Sequence, residues 1–187
     1  MGRYKKILVA FDGSESSRNA LLQAFRLAND EECWITVATV VPAYDGDLDL
    51  TGVTDIHAAL RRTGEEILSR ANGIAKKENA LIKTVLEEGE SSERLVALAE
   101  SENCGIIVMG RRGTSRFERS LIGSVAARVI GHSGKDVLVV PSDTVIGWKN
   151  ILLATDGSKY SHVATDKAID FAKSYGGELM AISIVDV

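Results

Sequence analysis

The stretch from Gly105 to Pro141 decides the fold, and it reads GIIVMGRRGTSRFERSLIGSVAARVIGHSGKDVLVVP. It opens with an apolar, β-branched run of strand length, and the glycines Gly110 and Gly113 follow immediately. A polar loop then leads to Gly123, where a helical pattern begins, and Val137 to Val140 is typical of a second strand. The stretch therefore predicts a strand, a glycine loop, a helix and a strand, in that order.

This layout is suited to binding an anion. Glycine allows a backbone to approach a bulky ligand closely. The first turn of a helix presents unpaired N–H groups and the positive end of the helix dipole. Ser124 adds a hydroxyl that can donate to an anion or cap the helix. On the glycines alone an alternative stays open, in which Gly110 and Gly113 form a tight turn and Gly123 only permits close packing.

The rest of the chain extends the same pattern. Apolar runs without alternation, such as Ile7–Phe11 and Cys33–Val41, predict strands that are covered on both faces. Asp12 ends the first strand, and Ser14 or Ser16 is expected to cap the helix that follows. The order β-α-β-α-β-α-β-α-β predicts an α/β fold, a doubly wound five-stranded parallel sheet. Ligands of such sheets bind at the carboxyl ends of the strands, near the switch in winding direction.

The middle of the chain carries two more local predictions. Ile82–Leu86 is expected to be a strand, and Glu87 to Glu90 a turn. Ser91 and Ser92 are expected to cap the third helix of the fold.

Composition narrows the class of protein. The 187 residues are 45 % hydrophobic and 26 % charged, which is typical of one globular domain with a small appendage. The formal net charge of −4 argues against a nucleic-acid partner, and no apolar run approaches the length of a membrane span. Cys33 and Cys104 belong to no paired motif, so we expect free thiols in the cytoplasm. The three histidines lack metal-ligand spacing, and no protein metal site is predicted.

The glycine spacing resembles a known signature. Gly110-x2-Gly113-x9-Gly123-Ser124 matches the G-2x-G-9x-G-(S/T) motif of the ATP-binding branch of the universal stress protein family. The match extends outward, since Met109 precedes the first glycine and the segment up to Pro141 closes the module as in that family. The resemblance implies a Rossmann-like fold of the adenine nucleotide alpha hydrolase type.

The resemblance also implies how a nucleotide is held. Asp12 matches the aspartate that contacts the nucleotide at the end of strand one, and Val40 matches a position that lines the adenine pocket. Asp12 and Gly110 are expected on the ribose side, with the phosphates near the later glycines. The full set of expected nucleotide-binding residues is Ala10, Asp12, Val40, Met109, Gly110, Gly113, Gly123, Ser124 and Val125.

The implied ligand is ATP together with Mg²⁺, and the implied role is a nucleotide-dependent switch in the stress response with an unknown downstream partner. Two alternatives stay open, a slow ATPase and a nucleotide-free scaffold for dimerisation. No catalytic residue is assigned, because a P-loop lysine is absent and Asp12, the one candidate base, already has a ribose role. Arg111, Arg112 and Arg116 lie in the loop and can reach phosphate, but none of them is assigned a contact.

The beginning of the chain recurs near its end. Lys5–Ser14 returns without a gap as Lys149–Ser158, and the second strand returns as Leu179–Val185. We expect residues 1–143 to form one universal stress protein module, 144–148 a linker, and 149–187 the β-α-β opening of a second module without the glycine signature. So short a piece buries little apolar surface. We therefore expect a truncated tandem protein whose exposed strands favour a homodimer.

Overall fold

The computed structural model describes residues 3–43, 56–113 and 121–183. Arg116 and Val185, on which two of the predictions above rest, lie outside these ranges. The chain divides after Thr144 into two compact units, and each is an α/β arrangement of its own. None of the described helices is both long enough and apolar enough to cross a membrane.

The first unit contains the predicted five-stranded sheet. Its elements are β1 (Lys6–Ala10), α1 (Glu15–Glu31), β2 (Trp34–Val41), α2 (Ile56–Lys77), β3 (Ile82–Glu88), α3 (Ser91–Ser101), β4 (Ile106–Gly110), α4 (Ser124–His132) and β5 (Asp136–Val140). All neighbouring strands pair in parallel, in the order β3-β2-β1-β4-β5. The predicted doubly wound fold is therefore confirmed.

The winding direction changes between β1 and β4. The chain moves outward from β1 through β2 to β3, returns across the sheet, and then moves outward again through β4 to β5. In register, Ala10 at the end of β1 lies opposite Met109 in β4 on one side and Ala38 in β2 on the other. Since β1 ends first, the chain beyond Ala10 borders an opening at the carboxyl edge of the sheet.

Helices cover both faces of this sheet, which explains why its central strands are apolar without alternation. α1 and α2 pack on one face, and α3 and α4 pack together on the other. On the α3–α4 face, Leu8 and Ile107 are fully buried against the two helices. The helices contribute to this cluster the apolar residues Leu95, Leu98, Ala99, Ala126 and Val129.

Within residues 145–183, the second unit repeats the opening of the first. It consists of β6 (Asn150–Ala154), α5 (Lys159–Tyr175) and β7 (Glu178–Ile182), and its two strands pair in parallel. Trp148, in the segment predicted as a linker, stacks on Phe171 of α5 with ring centroids 4.3 Å apart. Leu153 and Phe171 are buried, whereas Leu152 is 65 % exposed on the opposite face of the strand.

Two local predictions about the start of α3 were wrong. β3 continues through Glu88, which pairs with Val41, so the turn is shorter than expected and is made at Gly89 with a φ of 134°. The helix is capped by Glu90, whose side chain accepts a hydrogen bond from the Glu93 N–H. Ser92 instead donates its hydroxyl to the same carboxylate at 2.5 Å. A carboxylate reaches the first-turn donors as well as a serine hydroxyl does.

Candidate functional site

A cavity of about 590 Å³ opens at the carboxyl edge of the first unit's sheet, and we call it the switch-point cavity. It lies where the winding direction changes, and its volume is typical of small-molecule sites. All nine residues expected to bind nucleotide line its wall: Ala10, Asp12, Val40, Met109, Gly110, Gly113, Gly123, Ser124 and Val125.

Asp12 is positioned by the tight turn that follows β1. Its Oδ1 accepts a hydrogen bond from the Ser14 N–H at 3.0 Å, and Gly13 between them has a φ of 79°, which favours glycine. Its other oxygen, Oδ2, lies against Gly113, where an added Cβ atom would come within 2.6 Å. The turn thus aims one carboxylate oxygen at the glycine loop.

The three signature glycines are required by close packing of the chain on itself. A Cβ atom at Gly110 would lie 2.8 Å from the backbone of Ser16 and Ser17, at the start of α1. A Cβ atom at Gly123 would lie 3.3 Å from the Arg111 carbonyl oxygen. None of the three has a positive φ. Close packing, which the alternative gave to Gly123 alone, therefore describes the local role of all three glycines, and the backbone at these positions forms part of the cavity wall.

The start of α4 lacks a side-chain cap. Gly123 occupies the N-cap position with no side-chain hydrogen bond, so the expectation that Ser124 could cap this helix was wrong. By contrast, α1 is capped by the Ser14 hydroxyl, which accepts from the Ser17 N–H at 3.2 Å. The first-turn residues of α4 line the cavity. The first-turn N–H groups and the positive end of the helix dipole are therefore available to an anion there.

Val40 presents backbone groups at the opposite end of the cavity. Ala38 directs its carbonyl towards β1, since it accepts from the Phe11 N–H at 2.8 Å. Val41 directs its carbonyl the other way, to the Gly89 N–H beyond β3. Because the direction alternates along a strand, the N–H and C=O of Val40 point to the β1 side, past the residue where β1 ends.

The start of α3 forms the remaining wall, with Ser91 and Leu95. Its N-cap Glu90 also accepts from the Arg128 guanidinium of α4 at 2.7 Å, which ties the two helices together beside the cavity. Hydrogen bonds from the Ser92 hydroxyl and the Glu93 N–H hold the pKa of the Glu90 carboxyl below its usual range. This carboxylate therefore stays charged across the neutral pH range.

The loop after β4 is anchored through Arg111. Its N–H donates to the Val140 carbonyl at 2.8 Å, and its carbonyl accepts from the Gly123 N–H at 2.8 Å. These two bonds join the end of β4 to β5 and to the start of α4. The Arg111 side chain is half-buried in the cavity wall, and Arg112 also lines the wall.

Sequence reasoning did not assign several residues of this wall. They include Ser17, Ser91, Leu95, Arg111, Arg112 and Ile122. The helix residues among them share one signal, because Ser17, Ser91 and Leu95 all lie within the first two turns of helices that directly follow strands. In a parallel sheet those turns lie at the carboxyl edge, so a search of helix starts would have found them.

Comparison with known proteins agrees with this fold. The model of the universal stress protein family matches residues 3–141 and 147–187. The chain belongs to the universal stress protein family. Universal stress protein MJ0531 of Methanocaldococcus jannaschii is 35 % identical over 140 residues, which cover 73 % of this chain and 82 % of that protein.

Two solved structures of the family match this chain and contain nucleotides. A universal stress protein in complex with cAMP is 29 % identical, has a TM-score of 0.58, and the match covers 73 % of this chain and 97 % of that one. A universal stress protein of Archaeoglobus fulgidus in complex with dAMP is 26 % identical, has a TM-score of 0.57, and the match covers 73 % and 98 %.

Proposed function

We propose that this chain binds ATP in the switch-point cavity and acts as a nucleotide-dependent switch in the stress response. One observation carries the proposal. The glycine loop after β4 faces the start of α4, which has no side-chain cap, in the same cavity as Asp12 and Val40. The relatives in complex with cAMP and dAMP support an adenine nucleotide as the ligand class.

The Val40 backbone suits the edge of adenine. Adenine presents an amino donor beside a ring-nitrogen acceptor, and the strand offers a C=O acceptor beside an N–H donor. Guanine presents the opposite order and is therefore disfavoured. The side chains of Ala10, Met109 and Leu95 supply apolar walls near the base.

The other end of the cavity suits sugar and phosphate. The Asp12 carboxylate can accept hydrogen bonds from ribose hydroxyls, as acidic residues do in other nucleotide-binding sheets. We propose that the N–H groups of Gly113, Ser124 and Val125 hold the phosphates, with the Ser124 hydroxyl as a further donor. Mg²⁺ would be held chiefly by phosphate oxygens and water. Of the described residues that line the cavity, Asp12 is the one that would offer it a carboxylate.

We further propose a homodimer that acts in the cytoplasm on an unidentified downstream protein. The edge strand β5 supports self-association, because four of its five residues are only half-buried. Cys33 and Cys104 are both free thiols, which fits a reducing compartment.

Co-purification provides the test. The purified chain is denatured, its supernatant is run on ion exchange to find adenine nucleotide, and added ATP is titrated by calorimetry. We expect nucleotide in the wild type and none in Gly123→Val, because the valine side chain would press on the Arg111 carbonyl and displace the loop. Gly131→Val is the matched control, since it lies in the same helix and a Cβ atom there meets nothing within 4 Å.

Each outcome bears on a stated alternative. A wild type that neither contains nor binds ATP would overturn the proposal in favour of the nucleotide-free scaffold. If the wild type released inorganic phosphate from bound ATP and Gly123→Val did not, the chain would be a slow ATPase as well as a nucleotide-binding protein.

A further inference from the structure

We propose that Arg111 binds the phosphate chain of the nucleotide and makes the switch-point cavity prefer ATP to AMP. This inference rests on the proposed function and assigns a specificity-determining contact within the same site. It is carried by a polar atom in the cavity wall that the protein itself leaves without a partner.

The Nε atom of Arg111 is shielded from water. Within residues 3–43, 56–113 and 121–183, this Nε is the one buried side-chain nitrogen or oxygen that has no hydrogen-bond partner. Buried donors are nearly always paired in native proteins, because an unpaired one loses its bonds to water without replacement. Because Arg111 also lines the cavity, we assign this unpaired donor to a ligand that binds there and supplies the acceptor.

The backbone that carries this side chain is itself held in place. Both the N–H and the C=O of Arg111 are hydrogen bonded, to β5 and to the N-cap residue of α4 respectively. The guanidinium group is thus presented by a fixed backbone at the helix start where we propose that the phosphates lie. A preorganised group loses little freedom when it binds.

The positive charge of the guanidinium favours an anion from outside the protein as the acceptor. Of the described residues that line the cavity, Asp12 is the one that carries a carboxylate. Its Oδ1 already accepts a hydrogen bond from the Ser14 N–H, and its Oδ2 lies against Gly113. A guanidinium is always charged and fits phosphate oxygens in a bidentate geometry. Because the charge of the phosphate chain grows from AMP to ATP, the contribution of Arg111 to affinity grows with it.

The test compares nucleotides and variants by calorimetry. ATP, ADP and AMP are titrated into the wild type, Arg111→Gln, Arg111→Lys and the control Arg26→Gln, which removes an exposed arginine outside the cavity wall. We expect Arg111→Gln to weaken the binding of ATP about tenfold or more, that of ADP by a smaller factor, and that of AMP by less than about threefold. The ATP affinity of Arg111→Lys should lie between those of the wild type and Arg111→Gln. Lysine keeps the positive charge but lacks the planar guanidinium that can bind phosphate with two hydrogen bonds.

A second readout separates ligand binding from packing. Thermal unfolding without nucleotide should show Arg111→Met to be at least as stable as the wild type, since methionine places a methyl group where the buried Nε donor has no partner. The proposal is overturned by equal losses for all three nucleotides, by no loss of ATP affinity, or by a lower melting temperature of the free variant. A wild type that binds none of the nucleotides overturns this inference and the proposed function together.

Discussion

The turns Asp12-Gly13-Ser14 and Asp156-Gly157-Ser158 have almost the same local geometry in two different surroundings. Gly13 and Gly157 have φ values of 79° and 75°, and the aspartate Oδ1 accepts from the serine N–H at 3.0 Å and 2.9 Å. Each serine then caps its helix by accepting from the N–H three residues later. The same turn therefore forms at both places where this short sequence occurs between a strand and a helix.

The surroundings decide what each turn can do. In the first unit, β4 pairs with β1 and brings its glycine loop against Asp12. In the described part of the second unit the sheet has two strands, and Asp156 is exposed. Its pKa is held below the usual range by hydrogen bonds from the Ser158 N–H and the Ser158 and Ser161 hydroxyls of its own turn. The geometry of the turn therefore depends on local sequence, whereas a binding site also needs the glycine loop that follows β4.

The largest expected difference between the units concerns their equivalent strands. Leu8 is fully buried beneath α3 and α4, whereas Leu152, its counterpart in the repeat, is 65 % exposed. We expect Leu8→Ala to lower the free energy of unfolding by about 2–5 kcal/mol and Leu152→Ala by less than about 0.5 kcal/mol. Urea unfolding followed by circular dichroism measures both. A comparable loss in Leu152→Ala would mean that this face is covered in solution.

The next largest difference concerns nucleotide affinity. Asp12→Asn keeps the Oδ1 acceptor for Ser14 but removes the charge, so we expect ATP to bind about tenfold more weakly. Asp156→Asn makes the same chemical change in the second turn and should leave affinity unchanged, because no glycine loop faces it among the described residues. Calorimetric titration of both variants decides the point. Equal weakening would show that the second turn also contributes to nucleotide binding.

The smallest expected effects concern the helix caps that the two turns provide. Ser14→Ala and Ser158→Ala each remove one cap from an otherwise similar helix start, and each should cost about 1 kcal/mol of helix stability. Hydrogen exchange of the Ser17 and Ser161 amides reports the two losses separately. If the losses were clearly unequal, the two turns would not be energetically equivalent despite their matching geometry.

Much of the fold could be predicted because it depends on short-range patterns. The β-branched runs, the helical spacing and the turn residues predicted nine elements of the first unit in the right order along the chain. The pairing of β1 with β4, which sets where the winding direction changes, is a property of the sheet. The exact caps could not be predicted in this way. Glu90 at α3 and Gly123 at α4 were missed, since several neighbouring residues can occupy an N-cap and packing selects one.

The sequence by itself determined the repeated turn, the succession of strands and helices and the spacing of Gly110, Gly113 and Gly123, because these follow from residue type and local geometry. Only the tertiary structure decided why those glycines are needed, since their missing side chains make room for α1, Asp12 and the loop itself. It also decided that the Arg111 Nε is buried without a partner. Burial and pairing depend on residues far apart in the chain, which a linear pattern does not bring together.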